Sequence, residues 1–180
     1  MSSQNPAATA QELLQRNEKY AQNHQPELLL SETPENAPKP KTFIFCCFDP
    51  RLQPEKVLGL DQWDALVIRN AGGAVAPALP SLIALDYFFG SFEDILIIQH
   101  TDCGKLHLTE SEVKQNLKDH HRGSEDAIDD LHFDLDLTLE DRVRQNVKLI
   151  KESPHIRDEL KERTKGLIYD IKTGKLAELH

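Results

Sequence analysis

Three short apolar runs stand out in an otherwise mixed chain: Thr42–Cys47 (TFIFCC), Ala65–Ile68 (ALVI) and Asp94–Ile98 (DILII). Each is too short for a helix and is bounded by polar or turn-forming residues, so each predicts a strand. Between the second and third lies Pro80–Phe89 (PSLIALDYFF), dense in apolar residues and followed by Gly90, which predicts a buried helix with a glycine stop. Apolar strands separated by helical segments predict an α/β fold with a mainly parallel sheet flanked by helices. Further on, Leu139, Val143, Val147 and Ile150 fall on one face of an amphipathic helix over Thr138–Ser153. Pro154 interrupts that pattern, and Ile156–Arg163 reads as a short continuation. The segment GLIYDIKTGKLAEL at 166–179 predicts strand, Thr-Gly turn, strand: a hairpin at the sheet edge.

Residues 1–41 differ in character. Thr9 with Glu12 has the form of a capping box, and Leu13, Leu14 and Tyr20 give a thin apolar stripe on a helix over Thr9–His24. Pro26, Pro34, Pro38 and Pro40 make the following stretch an extended linker. The division expected is thus a helical arm and linker over 1–41 and one α/β domain over 42–180. Residues 109–137 are charged and show little apolar periodicity, predicting a helical start and then a surface loop.

Composition narrows the classes of partner. With 21 Lys and Arg against 30 Asp and Glu, the 180-residue chain carries a net charge of −9, which opposes binding to nucleic acid and to anionic membrane surfaces. No apolar run reaches the roughly 18 residues of a membrane span. The N-terminal segment has no apolar core of a secretory signal, so a cytoplasmic location is expected. Three cysteines do not make a disulfide framework, and in a reducing compartment cysteines beside histidines point to metal binding or catalysis.

The chemistry-bearing residues cluster at strand ends. The first strand runs into Cys47-Phe48-Asp49-Pro50-Arg51 and the third into His100-Thr101-Asp102-Cys103-Gly104. In an open α/β sheet, ligands bind at that edge. If the two strands are neighbours, Cys47, His100 and Cys103 converge, and two thiolates with one imidazole suit zinc. Three protein ligands leave the fourth position open, as in catalytic rather than structural sites. Strand alternation turns Cys46 away from Cys47 and makes it a core residue. The remaining histidines read as solvated, with His107 nearest the cluster. A Cys-x-x-Cys redox motif is absent. A closed site with Asp49 as fourth ligand would instead make a zinc-stabilised binding module.

Three ordered motifs resemble the β-class carbonic anhydrase family: Cys47-x-Asp49-x-Arg51, Arg69-Asn70-Ala71-Gly72-Gly73 and His100-Thr101-Asp102-Cys103-Gly104, with Ile168–Gly174 similar to the family's last strand and turn. The compact length is similar to the family's small type, which includes carbonyl sulfide and carbon disulfide hydrolases. The resemblance implies one zinc per subunit on Cys47, His100 and Cys103. Asp49 and Arg51 would be the paired residues beside the metal, and Gly72 and Gly73 the turn lining the site. Phe48 occupies a variable position where its bulk would narrow the substrate pocket. Asp49 would aim a zinc-bound hydroxide at CO2, or at carbonyl sulfide, with Arg51 holding the carboxylate in place and ionised. A helix starting at Gly104 would favour the thiolate of Cys103. The resemblance also implies a homodimer or a multiple of it, with the N-terminal arm over the neighbour.

Overall fold

The computed structural model describes residues 7–121 and 123–180. It divides into a first unit ending at Ala37 and a second spanning Pro38–His180. In the first, helix α1 (Ala10–Ala21) starts at the expected capping box: Glu12 N donates to Thr9 Oγ1 at 3.3 Å and Thr9 N donates to the Glu12 carboxylate at 2.6 Å. None of its residues is buried within this chain. A single 3-10 turn, Leu30–Glu32, interrupts the Pro-dotted stretch that follows.

The second unit is built on a five-stranded sheet of order β2-β1-β3-β4-β5. The strands are β1 (Thr42–Cys47), β2 (Ala65–Asn70), β3 (Asp94–His100), β4 (Thr164–Tyr169) and β5 (Leu176–Leu179). The first four are parallel, and β5 closes the edge antiparallel to β4. β2 and β3 each run two residues beyond their apolar cores, to Asn70 and His100, because ladder pairing with their neighbours continues past the hydrophobic run.

The helices follow the chain as α2 (Pro54–Val57), α3 (Leu79–Phe89), α4 (Glu110–His120), α5 (Glu125–Asp129), α6 (Leu139–Glu152) and α7 (Asp158–Glu162). On one face of the sheet Phe43, Phe45, Ile95 and Ile97 pack with Leu82 of α3, Ile150 of α6 and Leu160 of α7. On the other, Ile44, Cys46 and Ile98 pack with Leu52 and with Val57, Leu58 and Leu60, a thinner cover. α6 lies close on the sheet because β4 carries Gly166, where a Cβ would come within 2.5 Å of Val143 Cγ1.

Two expectations are corrected. α3 ends at Gly90 in the left-handed conformation, as the glycine stop requires. It is not buried all round: only Leu82 is fully inside, while Tyr87 is 93% exposed and Phe88 60%. One sheet face covers one side of a helix, and in this single chain nothing among the described residues covers the other. Residues 109–137 contain two helices rather than one start and a loop. α4 opens on a second capping box, Thr109 with Glu112, and α5 follows it. Capping and ion pairs such as Lys114–Glu110 at 2.8 Å carry α4, so hydrophobic periodicity was a weak guide there.

Candidate metal centre

The sheet order reverses at β1: β2 lies on one side and β3 on the other. The crevice between the C-terminal ends of β1 and β3 is therefore the switch point, where such sheets receive ligands. Cys47 ends β1 and His100 ends β3, and Cys103 follows three residues on. Cys47 Sγ and Cys103 Sγ are 3.9 Å apart, and the ligand atoms of Cys47, His100 and Cys103 all lie within 4.8 Å of one another. Two sulfurs each about 2.3 Å from a tetrahedral zinc are separated by about 3.8 Å, so the spacing fits that ion. All three side chains are buried. His100 Nδ1 is hydrogen-bonded to the Thr101 carbonyl at 2.9 Å, whereas the buried Nε2 has no hydrogen-bond partner. An orphaned imidazole nitrogen facing two thiols is what a metal would satisfy. Cys46, one residue from a ligand, is fully buried in the core, and burial pushes its thiol up to about 12.

The two thiols share a proton unequally. Cys47 is pulled down to about 4, chiefly by the hydrogen bond from Cys103, and further by His100 and the backbone N–H groups of Asp49 and Gly72. Cys103 is raised by the same hydrogen bond and by burial, which outweigh the N–H of Lys105. The N–H of the turn after Cys103 acts in the expected direction, toward the thiolate, but is outweighed by the contact with Cys47 and by burial. Gly104–His107 forms only a 3-10 turn, and Cys47 takes the charge first. A divalent cation held by both sulfurs would favour the thiolate form of each.

Asp49 and Arg51 form the expected pair. Arg51 Nε donates to Asp49 Oδ1 at 3.0 Å and Nη2 to Oδ2 at 2.8 Å, with Arg51 N adding a third bond to Oδ1 at 2.9 Å. The guanidinium holds the Asp49 carboxyl down at about 2. Asp49 Oδ2 stands 3.9 Å from His100 Nε2, beside the ligand cluster, while both its oxygens are engaged by Arg51.

Sequence reasoning missed three supports. Asp102, in the left-handed region at φ 56°, accepts from Arg51 Nη1 at 2.7 Å and from Nη2 through its carbonyl at 2.9 Å. His107 Nε2 lies 2.8 Å from Asp102 Oδ1, so this histidine is tied to the arginine through one carboxylate. Arg69 donates to the carbonyls of Cys47, Asp49 and Leu52 at 3.2, 2.9 and 2.7 Å and pins the turn after β1. No sequence signal separates these roles from ordinary surface pairing, because each partner lies 5 to 51 positions away.

The glycine turn sits against the cluster. Gly73, at φ +64°, lies so close to β1 that a Cβ would meet Cys46 C at 3.0 Å and Cys47 N at 3.1 Å. Asn70 clamps the turn by bonds to both backbone groups of Ala74, at 2.7 and 2.8 Å. Phe48, by contrast, is 63% exposed within this chain.

Residues 42–176 match the family model described as carbonic anhydrase. The chain is 29% identical over 144 residues to β-carbonic anhydrase 1 of Mycobacterium tuberculosis, covering 76% of this chain and 80% of that protein. It is 29% identical over 161 residues to carbon disulfide hydrolase of Saccharolobus solfataricus, covering 78% of each. Among solved structures, carbonic anhydrase from Streptococcus mutans superimposes with TM-score 0.78 at 31% identity, covering 98% of this chain and 100% of that one. An apo carbon disulfide hydrolase gives TM-score 0.66 at 25% identity, with 94% and 89% covered. With a match spanning the four parallel strands and both motifs of the Cys–His–Cys group, the chain belongs to the β-carbonic anhydrase family.

Proposed function

We propose that this protein is a zinc enzyme that catalyses the reversible hydration of CO2 to bicarbonate, CO2 + H2O giving HCO3⁻ and H⁺. The observation that carries the reading is the convergence of Cys47, His100 and Cys103 beside the Asp49–Arg51 pair. Zinc held by those three would supply the Lewis acidity that makes water a nucleophile near neutral pH. Asp49 is suited to orienting that water rather than to taking its proton. With its carboxyl at about 2 it is a weak base, but it stays an ionised acceptor at every physiological pH. Arg51 keeps both carboxylate oxygens occupied, which restrains Asp49 from becoming a fourth ligand and favours an open catalytic site over a closed structural one.

Similarity to a carbon disulfide hydrolase supports a second reading, hydrolysis of COS to CO2 and H2S, or of CS2 to CO2 and two H2S, on the same residues. All three substrates are small, linear and electrophilic at carbon, so the same attack serves each. Stopped-flow CO2 hydration measured beside H2S release from COS and CS2 tests the choice. Hydration exceeding both sulfide-releasing rates supports the first reading, and H2S release without hydration supports the second. We place the enzyme in the cytoplasm as a homodimer. The exposed Tyr87 and Phe88 of α3, with Trp63 at 37% exposure, are the surface that favours association. No helix among the described residues is long and apolar enough to cross a membrane.

A further inference from the structure

Arg142 of α6 is 2% exposed, yet its Nε and Nη1 are buried without a hydrogen-bond partner, and only Nη2 donates, to the Leu137 carbonyl at 3.3 Å. A buried guanidinium is ordinarily paired, because desolvation of an unpaired charge is costly. A second cation, Lys105, stands beside it, and Asp134 shares the same wall. A Cβ on Gly72 would come within 2.8 Å of Lys105 Cδ and 3.9 Å of Arg142 Cδ, so the two side chains flank one point of the glycine turn. Both residues line a cavity of about 50 Å³, walled also by Ala74, Ala76, Asn146 and Leu149. Asp134 reaches the cavity wall, but among the described residues neither cation has a carboxylate within ion-pair distance. The Asn146 amide is already committed, accepting from Val75 N at 2.7 Å and donating to the Arg142 carbonyl at 2.8 Å.

We propose that Arg142 and Lys105 form a binding site for one small monovalent anion, separate from the metal centre. One water needs about 10–15 Å³, so the cavity admits roughly four heavy atoms: a halide, formate or bicarbonate, but not a larger organic anion. Arg142 supplies two unused donors and Lys105 a third, and charge-assisted bonds are the strong ones. None of Cys47, His100 or Cys103 lines the cavity. The link to them is Gly72, whose N–H faces Cys47 and where an added Cβ would meet the Lys105 side chain. The site stands on these residues whether the substrate is CO2 or a sulfur analogue.

The full-length protein, crystallised and soaked in sodium bromide, provides the test. An anomalous peak between Arg142 Nε and Lys105 Nζ is expected, and it should vanish in Arg142→Met. If that variant does not fold, Lys105→Leu keeps the aliphatic packing and serves instead. In solution, bromide and formate should raise the wild-type unfolding midpoint relative to gluconate at equal ionic strength. The midpoint titration should show at least about fivefold weaker binding in Lys105→Leu, the loss of one charged hydrogen bond. Asp134→Asn should tighten binding. Bromide found only at the metal ligands or at surface lysines would overturn the proposal. So would Asp134, or a residue of a second copy, seated on Arg142 with bromide absent, or equal titrations in wild type and Lys105→Leu.

Discussion

Arg51 and Asp102, 51 positions apart in the chain, meet at 2.7 Å from Nη1 to Oδ2 and tie the turn after β1 to the turn after β3. The same guanidinium grips Asp49 on its other edge, so one arginine bridges the two motifs that carry the ligand cluster. Both Arg51 and Asp102 are about half exposed, at 47% and 53% of their side chains, and solvent screening leaves such pairs weak. Asp102→Asn should therefore lower kcat/KM by less than about fivefold. Asp49→Asn and Arg51→Ala should lower it by about a hundredfold or more, as for loss of a group acting in the transition state, with metal content retained. Steady-state rates and metal analysis on the three variants check the order. Equal losses in all three would assign the pair and Asp102 one shared structural role.

Metal content should follow the ligands and not their neighbours. Cys103→Ser and His100→Ala should each lose most of the bound zinc, while Cys46→Ser keeps one zinc per chain. Cys46 differs from Cys47 by one position, but its side chain lies in the core and outside the ligand group. Zinc analysis of purified protein after mild chelation decides it, with circular dichroism showing which variants remain folded.

Acid should weaken the fold through the Asp49–Arg51 pair. The folded carboxyl sits at about 2, below the value of about 3.9 expected when unfolded. Stability from this pair is thus fully present above about pH 4 and is lost as pH falls through about 2. Because Arg51 is half exposed, solvent screens the pair and the amount is small. Urea unfolding of wild type and Asp49→Asn between pH 2 and pH 6 should show a shallower slope for the variant below about pH 4.

Two glycines should tolerate alanine poorly, with different consequences. Gly166→Ala drives a methyl to 2.5 Å from Val143 Cγ1 and 2.9 Å from Val147 Cγ2. Both valines are stiff at χ1 in a helix, so a cost of about 1–3 kcal/mol is expected, with little change in the site. Gly73→Ala meets backbone at Cys46 and Cys47 and demands φ +64° of a side-chain-bearing residue, so turnover should fall along with stability. Thermal melts paired with rate measurements separate the two. Loss of activity in Gly166→Ala at a temperature where it is fully folded would contradict the distinction.

Association should depend on the outer face of α3. Tyr87→Glu combined with Phe88→Glu places two charges where 93% and 60% of the side chains are exposed in one chain. Sedimentation should give a dimer or larger for wild type and a shift toward the 20.4 kDa monomer for the double variant. An unchanged assembly would put the interface elsewhere.

The local patterns of the chain determined its elements. Four-to-six-residue apolar runs, the capping box at Thr9 and the glycine after Phe89 carry their geometry in short-range sterics and hydrogen bonding, which depend on neighbours in sequence. The two motifs were also legible, since Cys47, His100 and Cys103 stand at the ends of runs that could only be strands. Only the tertiary structure decided that β1 lies between β2 and β3, which turns two separate strand ends into one crevice. It alone put Asp102 under Arg51, Arg69 over three carbonyls and Arg142 beside Lys105. Each of those contacts joins residues brought together by sheet order and helix packing. Burial and charge pairing across such distances follow from how the whole chain minimises exposed apolar surface, which no short stretch encodes.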